Sequence, residues 1–254
     1  MKWWPKNKMK RVLVVISAVL VLSLAIALGK QSSSGAMAAN WQTARRDSAG
    51  IAPDPLKVNE AVVQVYAARA FSWRGYLGVH TWISVKPTNA TEFKVYEVVG
   101  WRVMHDQPAV SISNRPPDGR WFGAMPTLLV DKRGDGVDDM IKRIDDAARN
   151  YRYMNQYRIW PGPNSNTFTA EIGRAVPELK LDLPSTAIGK DFLPGGNFVA
   201  GAPSGTGYQM SLFGLFGVML AREEGLELNL LGLTFGVDPA DLSVKLPFAG
   251  RVGF

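Results

Sequence analysis

The chain contains no cysteine and only two histidines, His80 and His105. The first absence excludes disulfides, thiolate metal sites and cysteine nucleophiles together. It also fits an oxidising compartment, where stray thiols are a liability. The second leaves a zinc site dependent on carboxylates for most of its ligands, so neither a metal nor a cofactor is expected. The body lacks a strong charge of either sign. Of the formal net charge of +7, six cations (Lys2, Lys6, Lys8, Lys10, Arg11 and Lys30) lie in the first thirty residues, which hold no acid. The rest of the chain is close to neutral and offers no basic field to nucleic acid. An EF-hand is excluded by spacing. Counting from Asp131, position 3 is Arg133 and position 12 is Lys142, where oxygen ligands are needed. Asp135, Asp138 and Asp139 read instead as a turn and an acidic first helical turn, which suits the helix dipole.

What the chain does have begins with an uncharged run, VLVVISAVLVLSLAIALG, from Val12 to Gly29. A helix crossing the hydrocarbon layer needs about 20 apolar residues, within a range of roughly 17–25. Five basic residues precede the run and Lys30 follows it. The positive-inside rule then predicts a cytoplasmic segment at 1–11 and a single-pass anchor in the cytoplasmic (inner) membrane at 12–29, with the remainder exported to the periplasm. Trp3 and Trp4 fall at the expected interface. A cleaved signal peptide is the alternative, with Ala36-Met37-Ala38 as a small-x-small site. The run is longer than the usual h-region of about 7–15 residues and that site lies well beyond it, which favours the uncleaved anchor. Residues 30–58 are rich in Ser, Ala, Gly and Pro and read as a tether. Residues 59–254 read as one exported domain.

Within that domain, Val62 to Arg69, Val79 to Val85, Glu92 to Val99 and Thr127 to Val130 have the β-branched content or alternation of strands. Residues 105–126, rich in Pro, Asp, Gly and Arg, read as a long loop. Asp135 to Asn150 places Val137, Met140, Ile141, Ile144 and Ala148 on one side of a helix. A second helix is predicted from Ser165 to Val176, stopped by Pro177. In the last third, LFGLFGV (Leu212 to Val218) and LGLTFGV (Leu231 to Val237) flank Arg222-Glu223-Glu224-Gly225. That is a hairpin signature, with the apolar runs expected to complete a core rather than to meet a membrane. The predicted fold class is α+β: a mostly antiparallel sheet with two packed helices.

The segment Trp160-Pro161-Gly162-Pro163-Asn164-Ser165-Asn166-Thr167-Phe168 is a rigid turn opening into a helix. Asn164 or Ser165 can cap that helix, and its unsatisfied N–H groups can receive an oxyanion. Serine needs an adjacent base to act as a nucleophile. His80 is the natural candidate, and Glu97, the lone acid on an apolar strand face, is the expected group to orient it. Asn164 and Asn166 stand beside the helix mouth as oxyanion or binding groups, with Trp82 and Trp160 nearby in the same motifs. The plainer assignment is a structural cap at Ser165, a hydrogen-bonded core histidine at His80, and Glu97 paired with a surface lysine. Trp73, Trp82, Trp101, Trp121 and Trp160 are spread along the domain; they could line a cleft for sugars or lipids, but core packing is the commoner use of such residues.

Five segments carry a resemblance: VHTWISVK at 79–86, YEVVGW at 96–101, YRIWPGPNSNTF at 157–168, DFLPGGNF at 191–198 and EGLELNLLGL at 224–233. On these the chain resembles the bacterial family known as domain of unknown function 3750, a name that carries no activity. Two shorter motifs are similar to circularly permuted papain-fold enzymes of the lecithin retinol acyltransferase type. Those enzymes have a histidine on an early strand, matched by His80, and an Asn-Cys-x-x-Phe motif at a helix start, matched by Asn164 to Phe168 with Ser165 in place of cysteine. That resemblance implies an acyl or amide hydrolase or transferase of the cell envelope using Ser165 and His80. The alternative is a catalytically silent module that binds an envelope peptide, glycan or lipid in the same cleft. A third is an envelope scaffold acting through the glycine-spaced C-terminal hairpin.

Overall fold

The computed structural model describes residues 6–33 and 40–253. Trp3, Trp4 and Ala36-Met37-Ala38 lie outside them. Helix α1 (Lys6–Ser33) contains the entire apolar run. Within Lys8–Gly29 an 18-residue stretch reaches a mean hydropathy of 2.9, so α1 is long and apolar enough to cross a membrane, a description that a signal sequence also meets. Most of its side chains are exposed, but Ser23 and Ala27 are buried, and the helix touches the turn at Ser72–Tyr76.

The following strands are β1 (Val62–Arg69), β2 (Val79–Lys86) and β3 (Lys94–Val98). After a one-turn helix α2 (Gly100–Val103) come β4 (Val110–Ser113) and β5 (Thr127–Arg133). They form an antiparallel sheet in the order β4-β3-β2-β1-β5. Side chains alternate between its faces. Val63, Val65, Ile83, Val85, Tyr96 and Val98 point to one side and bury against two helices. These are α3 (Val137–Arg149), through Ile141, Ile144 and Ala148, and α4 (Ser165–Ala175), through Phe168 and Ile172. Asp138 and Asp139 in the first turn of α3 and Arg149 in its last suit the helix dipole. The opposite face carries Gln64, Tyr66, His80, Trp82, Ser84 and Glu97. It is covered by the chain from 114 to 126, chiefly through Trp121 and Ala124.

The tether is shorter than its composition suggests. The Asp118 carboxylate accepts hydrogen bonds from Ser48 Oγ (2.7 Å) and from the backbone N–H groups of Ile51 (2.6 Å) and Ala52 (3.1 Å). Residues 48–52 are therefore pinned to the first sheet's outer loop. The predicted long loop at 105–126 contains β4, which completes the edge next to β3.

The C-terminal part forms a second antiparallel sheet of seven strands. These are β6 (Val199–Gly201), β7 (Gly207–Leu212), β8 (Phe216–Ala221), β9 (Gly225–Leu230), β10 (Leu233–Asp238), β11 (Ser243–Leu246) and β12 (Gly250–Gly253). They pair in sequence order. The predicted hairpin around Arg222-Glu223-Glu224 exists as β8–β9. Each glycine-spaced run, however, straddles a further turn, at Phe213-Gly214-Leu215 and at Leu231-Gly232. The expectation that these runs complete a core is overturned. Gln209, Ser211, Glu227, Asn229, Thr234 and Lys245 point inward and are buried, whereas Tyr208, Met210, Leu220, Leu226, Leu228 and Val237 point outward and are exposed.

The charged and amide groups can lie inward here because they find partners. Glu227 sits between Lys190, which donates to its Oε2, and Lys245 (Nζ to Oε1 2.9 Å). Lys245 also reaches Asp182 Oδ1 at 2.8 Å. Asp191 accepts from Gln209 (2.5 Å), Asn229 (2.7 Å) and Thr234 (3.2 Å). Burial pushes the Glu227 carboxyl up, but the two ammonium groups more than offset this and hold it below its ordinary value.

Candidate functional site

The run before α4 builds the helix mouth. Asn164 is its N-cap: Oδ1 accepts from the N–H groups of Asn166 (2.9 Å) and Thr167 (3.2 Å), and Thr167 Oγ1 accepts from the Asn164 N–H (3.1 Å). Asn164 Nδ2 donates to the carbonyls of Ile159 and Ile188, each at 3.0 Å. Gly189, at φ +97°, lies against this amide, and a side chain there would collide with it. Asn166 is equally committed. Its Nδ2 donates to Val79 O (3.0 Å) and Ile188 O (2.8 Å), and its Oδ1 accepts from Thr81 Oγ1 (3.0 Å). Both amides, expected as oxyanion or binding groups, instead fasten α4 to β2 and to the chain at 186–189. Asn164, not Ser165, makes the cap. Trp160 is half exposed and donates from Nε1 to Leu231 O (2.9 Å), which ties this turn to the second sheet.

Ser165 and His80 do not meet. The β2 residue that reaches α4 is Thr81, whose hydroxyl lies 3.3 Å from Ser165 O and 2.9 Å from Thr169 Oγ1. His80, one residue earlier, projects to the other face by the alternation of a strand. There it joins Trp82, which is fully buried and donates from Nε1 to Pro117 O (2.7 Å). Among the described residues no side chain hydrogen-bonds Ser165 Oγ. The expected pairing of nucleophile and base is thus not formed.

The structure does bring His80 and Glu97 together, with Nε2 to Oε2 at 2.8 Å. Glu97 is held on its other side by Arg115, through Nε to Oε1 (2.9 Å) and Nη2 to Oε2 (3.2 Å). Arg115 is the partner that the plainer reading of Glu97 assigned to a lysine. Burial pushes the Glu97 carboxyl up, but the hydrogen bond from His80 and the Arg115 charge outweigh it and hold the group down at about 2. Burial also lowers His80 from its ordinary value, against the pull of Glu97. These directions agree on one state: an ionised Glu97, a neutral His80 donating from Nε2, and Nδ1 left as an acceptor.

Aromatic rings close over this triad. The His80 ring stacks on Trp121 with centroids 3.6 Å apart and planes 12° from parallel. Arg115 lies over Trp82, 4.7 Å from its centroid, and 5.9 Å from that of Trp121. Trp101 stacks on Trp121 at 5.7 Å and is 47% exposed. Beyond Arg115 opens a groove of about 530 Å³ bordered by Pro53, Glu92, Asn114, Arg115, Pro117 and Asp118. Sequence reasoning assigned no role to Arg115, which sits in an aperiodic loop, and left Trp101 and Trp121 as dispersed aromatics. For the tryptophans the signal was the coincidence of three indoles with a buried acid; for Arg115 there was none. Among the described residues no cluster of His, Asp or Glu is arranged to hold a metal ion.

Residues 60–192 match the family described as Protein of unknown function (DUF3750). The chain belongs to this family. The DUF3750 match takes in the first sheet, α3, α4 and the helix mouth, and ends before the second sheet begins. No curated protein and no solved structure matches the chain.

Proposed function

We propose that this DUF3750 protein is a catalytically silent binding module, anchored by α1 in the cytoplasmic membrane with its body in the periplasm. Its ligand is an envelope glycan held on the Trp101–Trp121 stack. The observation that carries this reading is the strand parity that sets His80 and Ser165 on opposite faces while gathering His80, Glu97 and Arg115 beneath an exposed indole. A hydrolase or acyltransferase of the permuted papain type needs its histidine beside the residue at the helix start. With the two apart, neither base nor activated hydroxyl is available. An exposed indole face suits the C–H face of a sugar ring. The partly exposed Arg115 guanidinium beside the Trp121 ring offers donors to ring hydroxyls.

Two measurements on the full chain test this. A fluorophosphonate probe is expected to label wild type and Ser165→Ala equally; labelling that depends on Ser165 contradicts the silent module. Titration with N-acetylhexosamine oligomers, followed by tryptophan emission, is expected to saturate, and Trp101→Ala is expected to weaken it at least tenfold. Unchanged affinity in Trp101→Ala removes the stack as the ligand surface. Intact mass of the membrane fraction checks the anchor, since loss of residues 1–38 means a cleaved signal.

A further inference from the structure

The outward face of the second sheet is apolar without interruption. One row runs across six strands, pairing Tyr208 with Leu220, Leu226, Val237, Val244 and Val252 in turn. A parallel row links Met210, Val218, Leu228 and Phe235. No charged residue occupies an outward position in β7 to β11. Four strands about 20 Å long and three of about 10–13 Å, spaced about 4.8 Å apart, make a face on the order of 550 Å², toward the upper end of what soluble monomers leave uncovered. The side chains are well exposed, Tyr208 at 75% and Leu220 at 68%.

The turns extend this surface. Leu231-Gly232 is a two-residue hairpin turn with both residues at positive φ (+54° and +80°), where Asn-Gly is the favoured pair. Leucine at such a position is strained and gains nothing from the turn itself. Phe213 (φ +54°), Leu242 (φ +47°) and Phe248 (φ +63°) place an apolar residue at positive φ in three further hairpins, whereas the β8–β9 turn is the charged Arg222-Glu223-Glu224. Apolar residues thus stand at turn tips where small polar ones are preferred. With the half-exposed Trp160 hydrogen-bonded to the Leu231 carbonyl, the tips at 213 and 231 form an aromatic and aliphatic rim.

We infer that this face lies on a lipid bilayer, at the boundary between headgroups and acyl chains. The inference rests on α1 being retained as the anchor. That helix belongs to the same chain and touches the body at Ser72–Tyr76. The same end of the body meets the second sheet, because Arg69 donates both to Gly75 O (3.3 Å) and to Phe248 O (2.9 Å). A bilayer holding α1 therefore adjoins the rim of the sheet. The strands have six residues or fewer, short of the roughly 9–11 that a membrane-crossing strand needs, so the sheet lies on the bilayer and does not span it.

The absence of native cysteine makes the test direct. Full-length Leu220→Cys, Leu231→Cys and Asp146→Cys chains, each carrying one environment-sensitive fluorophore, are placed in vesicles of phosphatidylethanolamine and phosphatidylglycerol. Some of these lipids carry a headgroup-level spin quencher. Quenching at Leu220→Cys and Leu231→Cys several-fold above that at Asp146→Cys, on the exposed side of α3, is the expected result. Equal quenching at all three sites overturns the inference. A disulfide-linked dimer of the unlabelled Leu220→Cys chain, together with no lipid quenching of the labelled one, also overturns it, and assigns the face to a second copy. Intact mass of the same sample separates failure of the anchor reading. If residues 1–38 are gone, flotation of the shortened chain with vesicles, abolished by Leu220→Glu with Leu228→Glu, upholds the lipid contact, and no flotation overturns it.

Discussion

In the first sheet Val65 and Ile83 turn toward the helices and hold the core, whereas in the second Glu227 and Lys245 turn inward and Leu226 and Leu228 turn out. Both are antiparallel and both alternate along the strand, so local geometry does not distinguish them. The difference lies in what meets each inward face. Helices α3 and α4 offer the first sheet Ile144, Phe168 and Ile172, and burial of apolar area is stabilising by itself. The chain from 182 to 191 offers the second sheet Asp182, Lys190 and Asp191, so its attachment to the body depends on completed hydrogen bonds and ion pairs. Such a network is stabilising when whole and costly when one member is lost.

That contrast is sharpened by comparing one deletion in each sheet. Glu227→Ala leaves Lys190 and Lys245 buried with a carboxylate missing between them and is expected to cost about 3–5 kcal/mol. Ile83→Ala, in the core of the first sheet, is expected to cost a similar 2–5 kcal/mol or so through lost burial and a cavity. Urea unfolding of the full chain in detergent, followed by tryptophan emission, checks both. A Glu227→Ala loss below about 1 kcal/mol breaks the claim that the ionic network holds the second sheet in place.

Acid is the next lever, and it acts through the first sheet's polar face. Glu97 is held at about 2, below its unfolded value, so its contribution is complete above that unfolded value and fades as the pH falls toward 2. His80 is lowered from 6.5, so unfolding takes up its proton below that pH, which also weakens the fold in acid. The two effects have the same sign. Thermal midpoints are expected to fall from pH 7 to pH 3, with Glu97 accounting for about 2 kcal/mol of the loss by pH 3. Glu97→Gln is expected to be less stable at pH 7 and to show a flatter profile. An unchanged slope in that variant breaks the assignment.

The smallest effect is predicted on the outward face. Leu228→Ser in detergent is expected to shift stability by less than about 0.5 kcal/mol, because the side chain is about half exposed and belongs to none of the buried clusters. A loss comparable to that of Ile83→Ala means that Leu228 packs against the protein, which contradicts the inverted arrangement.

Much of the first sheet was legible from its residues. Strands β1 and β2 carry β-branched runs, α3 a clear 3.6-residue period, and Pro177 stops α4. The face occupied by His80 was legible too: Ile83 and Val85 mark the side that packs under helices, and Thr81 shares their parity while His80 shares that of Trp82 and Ser84. The second sheet was less readable for a physical reason. Alternation separates two faces but does not say which is buried, and an ion-paired inward row looks in sequence like a solvated one. Its glycines also mislead, because Gly214 and Gly232 sit in turns while the apolar runs around them look continuous. Arg115 left no trace, since its loop has no period and its partner Glu97 is eighteen residues away.

The most direct measurement is the rate at which N-ethylmaleimide modifies single cysteines placed along β9 in the otherwise cysteine-free, detergent-solubilised full chain. Leu226→Cys and Leu228→Cys are predicted to react quickly and Asn229→Cys to be protected at least tenfold, until urea opens the fold. Protection at Leu226→Cys and Leu228→Cys with a reactive Asn229→Cys would turn the sheet the other way round and contradict the account.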